Sequence, residues 1–103
     1  MSERRFHVYF MSNRSRSVLY IGVTRDVERR EWEHRSGIGS EFVKKYRAHH
    51  LVYVEEYARA DEAIAREKQL KGWKRIRKDA LVAEANPTWE DLMPRDETTL
   101  PSS

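Results

Sequence analysis

The chain of 103 residues contains no cysteine. This absence excludes a disulfide framework and any metal site built from thiolates, and it is typical of proteins in a reducing cytoplasm. No run of 18 apolar residues exists, and the N-terminal sequence Met-Ser-Glu-Arg-Arg is not followed by an apolar segment. We therefore expect a cytoplasmic protein with neither a membrane-spanning helix nor a signal peptide.

Acidic residues are scarce relative to basic ones until the chain nears its C-terminus. The net charge is +3, but residues 1–86 carry 19 Lys and Arg against 13 Asp and Glu, a net charge of +6. A basic domain attracts polyanions such as nucleic acid. The alternative is a merely solvated basic surface, because 36% of the residues are charged and both signs are mixed.

Proline is confined to the C-terminal end, at Pro87, Pro94 and Pro101. The surrounding segment also contains Thr-Thr and Ser-Ser and few aliphatic residues, a composition typical of disordered tails. A chain of this length is expected to form one small domain. We therefore predict a single domain at residues 1–87 and a flexible tail at residues 88–103.

Two segments near the N-terminus alternate in the period-two pattern of half-buried strands, residues 5–12 and 18–23. The polar residues between them predict a hairpin turn. In the simplest register the opposed pairs are Met11 with Val18, Tyr9 with Tyr20, and His7 with Gly22. The two phenols would then be direct neighbours on one face. Gly22 would leave space for a ligand or a backbone segment to approach the sheet.

A short helix is predicted to follow at residues 27–34, capped by Thr24 or Asp26. Arg30 and His34 are four residues apart and share one face of this helix. Few of its residues are apolar, so we expect tertiary contacts to hold it at the edge of the sheet. Arg30 and His34 would then lie near the two tyrosines.

These residues together resemble the GIY-YIG nuclease domain, and the chain is similar to small stand-alone bacterial members of that family. The matching positions are Tyr9, Tyr20-Ile21-Gly22, Arg30 and His34. The resemblance covers roughly residues 5–87. The first half-motif reads His7-Val8-Tyr9, which keeps the tyrosine and loses the glycine. The resemblance implies a nuclease that acts with a divalent ion.

The remaining chain predicts a third strand at residues 49–57, a helix at residues 60–71 and a further helix that ends before Asn86-Pro87. The expected fold is therefore α+β, a three-stranded antiparallel sheet flanked by helices in the order β-β-α-β-α-α. The predicted core is Val8, Leu19, Ile21, Val52, Val54, Ile64, Leu70 and Leu81.

Glu67 interrupts the apolar stripe of the helix at residues 60–71. That stripe consists of Ala60, Ala63, Ile64 and Leu70. A carboxylate in such a position needs a cation, a metal or a strong donor, because an unpaired buried charge costs several kcal/mol. One reading is a structural salt bridge to Arg30. The resemblance implies the other, in which Glu67 is the protein ligand of a Mg²⁺ or Mn²⁺ ion.

Basic residues suggest where nucleic acid would bind. We predict contacts from Gly22, Arg29, Lys44, Lys45, Lys68, Lys71, Lys74 and Arg75. Lys44 and Lys45 could instead be solvated residues beside a packed turn, and Trp73 could stack on bases or simply pack at the edge of the core. Asn86 matches the asparagine that supports the site in the family, and it could equally be a plain helix terminator.

Phosphodiester hydrolysis needs an activated water, a cation on the developing phosphorane charge and stabilisation of the leaving oxygen. Tyr9 or Tyr20, with help from His34 or a metal-bound hydroxide, could position the water. Arg30 could contact a non-bridging oxygen, and Glu67 could hold the metal ion at the leaving side. The competing hypothesis is a nucleic-acid-binding module that cuts weakly or not at all. The expected partner is nucleic acid, DNA first of all, and a protein partner could supply substrate choice.

Overall fold

The computed structural model describes residues 5–25 and 47–92. Within these two ranges there are three strands, β1 at Phe6–Ser12, β2 at Leu19–Thr24 and β3 at His50–Tyr57. Two helices follow, α1 at Ala60–Lys71 and α2 at Arg75–Ala85. The described ranges confirm the α+β class with its three-stranded antiparallel sheet. The helix expected at residues 27–34 lies outside them.

Strand β1 is the middle strand of the sheet, which has the order β2-β1-β3 and antiparallel pairing throughout. Val8 and Phe10 point to a cluster that also includes residues of both helices, and we call this side the helix face. Tyr9 and Met11 point to the other side, the tyrosine face, where they meet Leu51. Alternate residues of β1 lie on opposite faces, as predicted. The strand is not half-buried as expected, because apolar residues cover both of its faces.

The hairpin register differs by two residues from the expected one. The opposed pairs are Met11 with Tyr20, Tyr9 with Gly22, and His7 with Thr24. The loop explains the shift, because Arg16 N–H donates to the Asn13 carbonyl at 3.1 Å and Val18 N–H donates to Asn13 Oδ1 at 3.1 Å. Pairing therefore begins at Ser12 and Leu19. A shift of two keeps every side chain on its predicted face.

The core agrees with the predicted set except at one position. Val8, Ile21, Val52 and Leu70 are buried, and Leu19, Val54 and Leu81 are partly buried against the core clusters. Ile64 was expected inside but is 43% exposed. Helix α1 instead buries Ala63 and Leu70, so the face turned to the sheet runs through positions 63, 67 and 70.

A β-bulge on β3 and the segment after α2 complete the helix face. Phe10 pairs with Tyr53 but Met11 pairs with Leu51, which leaves Val52 as the extra residue. The buried Asn86 side chain donates to the Val52 carbonyl at 3.0 Å, so it ties the end of α2 to this bulge. Within the ranges that the structure describes, neither helix has the length and apolar character needed to cross a membrane.

Candidate active site

Tyr9 and Tyr20 form a pair on the tyrosine face. Because Tyr9 lies opposite Gly22, the two tyrosines are diagonal rather than direct neighbours. Their ring centroids are 6.2 Å apart and the rings are tilted by 46°. Diagonal residues of adjacent strands are within reach of aromatic side chains. The shared face predicted from the sequence is thus retained despite the different register.

Gly22 makes room for the ring of Tyr9. A Cβ atom built at Gly22 would lie 2.5 Å from Tyr9 Oη and 2.7 Å from its Cζ, closer than real contacts allow. The sequence led us to expect open space for a ligand or backbone beside Gly22. The ring of Tyr9, which is only 3% exposed, fills that space instead. The glycine therefore fixes how a catalytic candidate lies on the sheet.

Glu67 lies on the face of α1 that is turned to the sheet, between the buried Ala63 and Leu70. Its side chain is 18% exposed, and its Oε2 forms an ion pair with Lys71 Nζ at 2.8 Å. The sequence predicted that a carboxylate in this place would need a cation, and Lys71 supplies one. The alternative partner, Arg30, lies outside the described residues.

A metal ion in this region would depend on few protein ligands. Over residues 5–25 and 47–92, no group of three or more His, Cys, Asp or Glu side chains could hold a metal ion. A single carboxylate is nevertheless typical of Mg²⁺, which keeps most of its water ligands and prefers oxygen donors. Glu67 is the one acid on the sheet-facing side of α1, since Asp61 and Glu62 are exposed.

The sequence model of the family described as the GIY-YIG catalytic domain matches residues 5–79. The chain belongs to the GIY-YIG family. Curated relatives include UPF0213 proteins of Staphylococcus aureus strains Mu3 and N315, each 36% identical over 78 residues that cover 76% of this chain and 95% of the relative. The solution NMR structure of the UPF0213 protein BH0048 from Bacillus halodurans matches with a TM-score of 0.51 and 28% identity, covering 96% of this chain and 98% of that one.

Membership places the chain among nuclease-type domains, a family that acts on nucleic acid. The described part of the GIY-YIG domain contains the tyrosine pair, Gly22 and the helix glutamate. It does not contain Arg29, Arg30, His34, Lys44 or Lys45, whose expected roles stay predictions from the sequence.

The basic residues predicted to bind nucleic acid on the two helices of the GIY-YIG domain differ in their contacts. Arg75 is fully engaged, because Nε donates to Asp79 at 2.6 Å while Nη1 and Nη2 donate to the carbonyls of Ser17 and Arg16 at 3.2 and 2.5 Å. It joins α2 to the hairpin loop. Lys68 and Lys74 are exposed. A structural duty for Arg75 therefore has to be separated from any contact with nucleic acid.

A hydrogen-bonded cluster around Glu55 on β3 was not predicted from the sequence. Glu55 accepts from Tyr53 Oη at 2.5 Å, from Tyr57 Oη at 2.7 Å, and from Arg66 Nε and Nη2 at 2.9 and 3.0 Å. The signal was present, because residues 53, 55 and 57 alternate onto one face of a strand. The cluster connects β3 to α1.

The cluster shifts the pKa values of its members in physically consistent directions. Burial raises the pKa of Tyr53 and of Tyr57, and the hydrogen bond that each donates to Glu55 raises it further. Burial also acts to raise the pKa of Glu55. Hydrogen bonds from Arg66 and the two phenols outweigh that effect and hold the pKa of Glu55 below its ordinary value. The carboxylate is therefore stabilised in its ionised form.

Asn86, the predicted supporting residue, ends α2 and reaches two other segments. Its Nδ2 donates to the carbonyls of Val52 and Glu90, at 3.0 and 2.9 Å, and its side chain is buried. The residue terminates the helix, which is one of the two roles considered from the sequence, and it also fixes the β3 bulge. The other role, support of the site, stays a prediction. Support of the tyrosine face would have to pass through that strand.

Proposed function

We propose that this chain is a divalent-metal-dependent endonuclease that hydrolyses phosphodiester bonds of nucleic acid. The observation that carries the proposal is the tyrosine pair, Tyr9 and Tyr20, held 6.2 Å apart on one face of a GIY-YIG domain. A phenol can orient a water molecule by hydrogen bonding and can accept or return its proton.

The proposed roles follow the order of the reaction. Tyr9 or Tyr20, assisted by His34, orients the attacking water and takes its proton. Arg30 binds a non-bridging oxygen through its guanidinium group, where negative charge develops. Glu67 would hold Mg²⁺ or Mn²⁺. When bound there, the ion would supply charge stabilisation at the leaving oxygen.

A site that uses both Glu67 and the tyrosine pair would lie at the β2 edge of the sheet. Helix α1 buries Ala63 and Leu70 on the helix face, whereas the tyrosines belong to the tyrosine face. Strand β2 is a terminal strand of the sheet order and carries Tyr20. A phosphate at this edge is the arrangement in which Glu67 and Tyr20 could act on the same group.

The test is a cleavage panel of labelled DNA and RNA, single-stranded, duplex and branched, with Mg²⁺ and with Mn²⁺. Glu67→Gln keeps the size of the side chain and removes its charge. We expect a loss in kcat on the order of 10²–10³, which is typical of losing one preorganised charge stabiliser. Glu62→Gln is the matched control, because Glu62 is an exposed acid on the same helix and should retain activity.

Binding measured without metal should change little in Glu67→Gln, so chemistry and affinity are separable. If that variant cleaves at the wild-type rate across Mg²⁺ concentrations, the metal role is wrong and the ion pair with Lys71 is the function of Glu67. If the wild-type chain binds every substrate and cleaves none with either metal, the binding-module hypothesis replaces the enzyme. A protein partner would then supply the chemistry or the choice of substrate.

A further inference from the structure

Arg77 lies over the indole ring of Trp73, with 3.9 Å between the guanidinium carbon and the ring centroid. This is a close cation–π arrangement. The Arg77 side chain is exposed, and within the part of the chain that the structure describes its guanidinium makes no hydrogen bond or ion pair. Its N–H groups are therefore available to an anion from solvent.

The Trp73 ring is itself held in place. It packs against the helix-face cluster, and the guanidinium carbon of Arg66 lies 5.3 Å from its centroid. Arg66 is fixed in turn by its two hydrogen bonds to Glu55. A continuous series of contacts thus runs from β3 to Arg77. A planar guanidinium held this way loses less side-chain entropy when it binds a ligand than a free one would.

The same contacts make Trp73 a poor platform for a nucleic-acid base. A base would have to displace Arg77 from the ring before it could stack there. Proteins that bind single strands without sequence preference rely on free aromatic faces for stacking. The arrangement therefore favours contact with phosphates over contact with bases.

Two further bases lie beside Arg77 at the start of α2. Lys74 is the exposed N-cap residue, and Lys78 is one helical turn away from it. The first turn of α2 contains no acidic residue. Cations near a helix N-terminus are unfavourable, because that end carries partial positive charge. A bound polyanion would offset this repulsion, which gives the cluster a physical reason to prefer a phosphate chain.

We propose that Arg77, held on Trp73, together with Lys74 and Lys78 forms a surface that binds the phosphate backbone of double-stranded nucleic acid. This role of the Arg77 surface rests on the proposed function only because nucleic acid is taken as the substrate. The Arg77 surface would recognise a duplex, and it would contact the phosphate backbone and not the bases.

The experiment measures fluorescence anisotropy of a labelled DNA duplex of about 20 base pairs, and of one of its strands, in EDTA so that no cleavage occurs. Arg77→Met should lower duplex affinity about eightfold at 0.1 M salt and reduce the salt slope by about 0.9, the contribution of one phosphate. Arg77→Lys should keep the slope but lower affinity about two- to fivefold, because an ammonium group offers no planar fork.

Arg59→Gln is the matched control, since it also removes one positive charge. Its side chain is 68% exposed, and it precedes α1, whose 12 residues place it about 18 Å from the helix end near Trp73. Equal losses in Arg77→Met and Arg59→Gln would show only general electrostatics and overturn the proposal. So would wild-type affinity in Arg77→Lys, or a single strand bound more tightly than the duplex.

The outcome is independent of catalysis. If Arg77→Met weakens duplex binding as expected but the wild-type chain cleaves nothing with Mg²⁺ or Mn²⁺, the Arg77 surface stands and the enzymatic function fails. If cleavage is observed while Arg77→Met binds as the wild type does, the reverse holds. A substitution of Arg75 would not test duplex binding alone, because its guanidinium donates to the backbone of the hairpin loop.

Discussion

At the scale of single residues, Gly22 and Tyr9 act as one unit. The ring of Tyr9 occupies the volume that any side chain at position 22 would take. Activity that depends on Tyr9 therefore depends on a glycine that carries no chemistry of its own. Because its ring lies against the backbone of Gly22, Tyr9 is almost completely buried although Gly22 has no side chain to cover it.

We predict that Gly22→Ala destabilises the domain by about 1–3 kcal/mol, the usual cost of overpacking a well-packed site. The cause is the clash with Tyr9, so the cost should fall sharply in a Tyr9→Ala background. Urea unfolding of both single variants and the double variant measures this coupling. Additive effects in the cycle would mean that another contact, and not Tyr9, requires the glycine.

The face on which a side chain lies could be predicted from the sequence where the period of a strand or helix sets it. Both tyrosines lie on one side of the hairpin, and Glu67 lies on the inner side of its helix, as the periods predict. The pairing of Tyr9 with Gly22 could not be predicted, because the register depends on hydrogen bonds of Asn13 within the loop. Several loops with different registers are compatible with the same alternation.

At the scale of elements, the Glu55 cluster fastens α1 to the sheet. The Arg66 and Glu55 side chains are only 22% and 15% exposed, so solvent screens their interaction weakly. Apolar burial by α1 is modest, with Ala63 and Leu70 as its buried residues. A bidentate ion pair therefore contributes both orientation and stability to the helix that carries Glu67.

We predict that Glu55→Gln lowers the free energy of unfolding at pH 7 by about 1.5–3 kcal/mol, the range for hydrogen bonds to charged groups. The pKa of Glu55 is lowered in the folded state, so its contribution is complete above the unfolded pKa. It is lost as the pH falls through the folded value. The stability difference between wild type and variant should therefore shrink below about pH 4.

Urea unfolding between neutral and acid pH measures this difference. Glu56→Gln is the control, because Glu56 is the next residue on β3 but its side chain is 53% exposed in its ion pair with Arg5. A difference between wild type and Glu55→Gln that stays constant down to acid pH would contradict the assignment. The helices and strands themselves could be predicted from periodicity, but this cluster depends on how α1 meets β3.

For the molecule as a whole, the contacts of residues 88–92 bear on where the folded domain ends. The sequence predicts a boundary at residue 87 because of proline and polar composition. Residues 88–92 nevertheless lie against the domain: Trp89 is 9% exposed, and Leu92 N–H donates to the Leu51 carbonyl at 2.7 Å. Arg16 of the hairpin loop also donates to the Thr88 carbonyl at 2.9 Å. Composition could not reveal these contacts, because they join segments far apart in the chain.

We predict that a chain shortened to end at Leu92 unfolds at the same urea concentration as the full chain, whereas one that ends at Pro87 is strongly destabilised. Removing the buried Trp89 alone should cost about 3–5 kcal/mol, a large part of the stability of a small domain. Trp89→Ala in the full chain is the control, since it isolates that side chain from the backbone contacts of Leu92. Equal unfolding midpoints for the two shortened chains would place the boundary at residue 87. Loss of stability already on ending at Leu92 would instead assign a structural role to the tail beyond it.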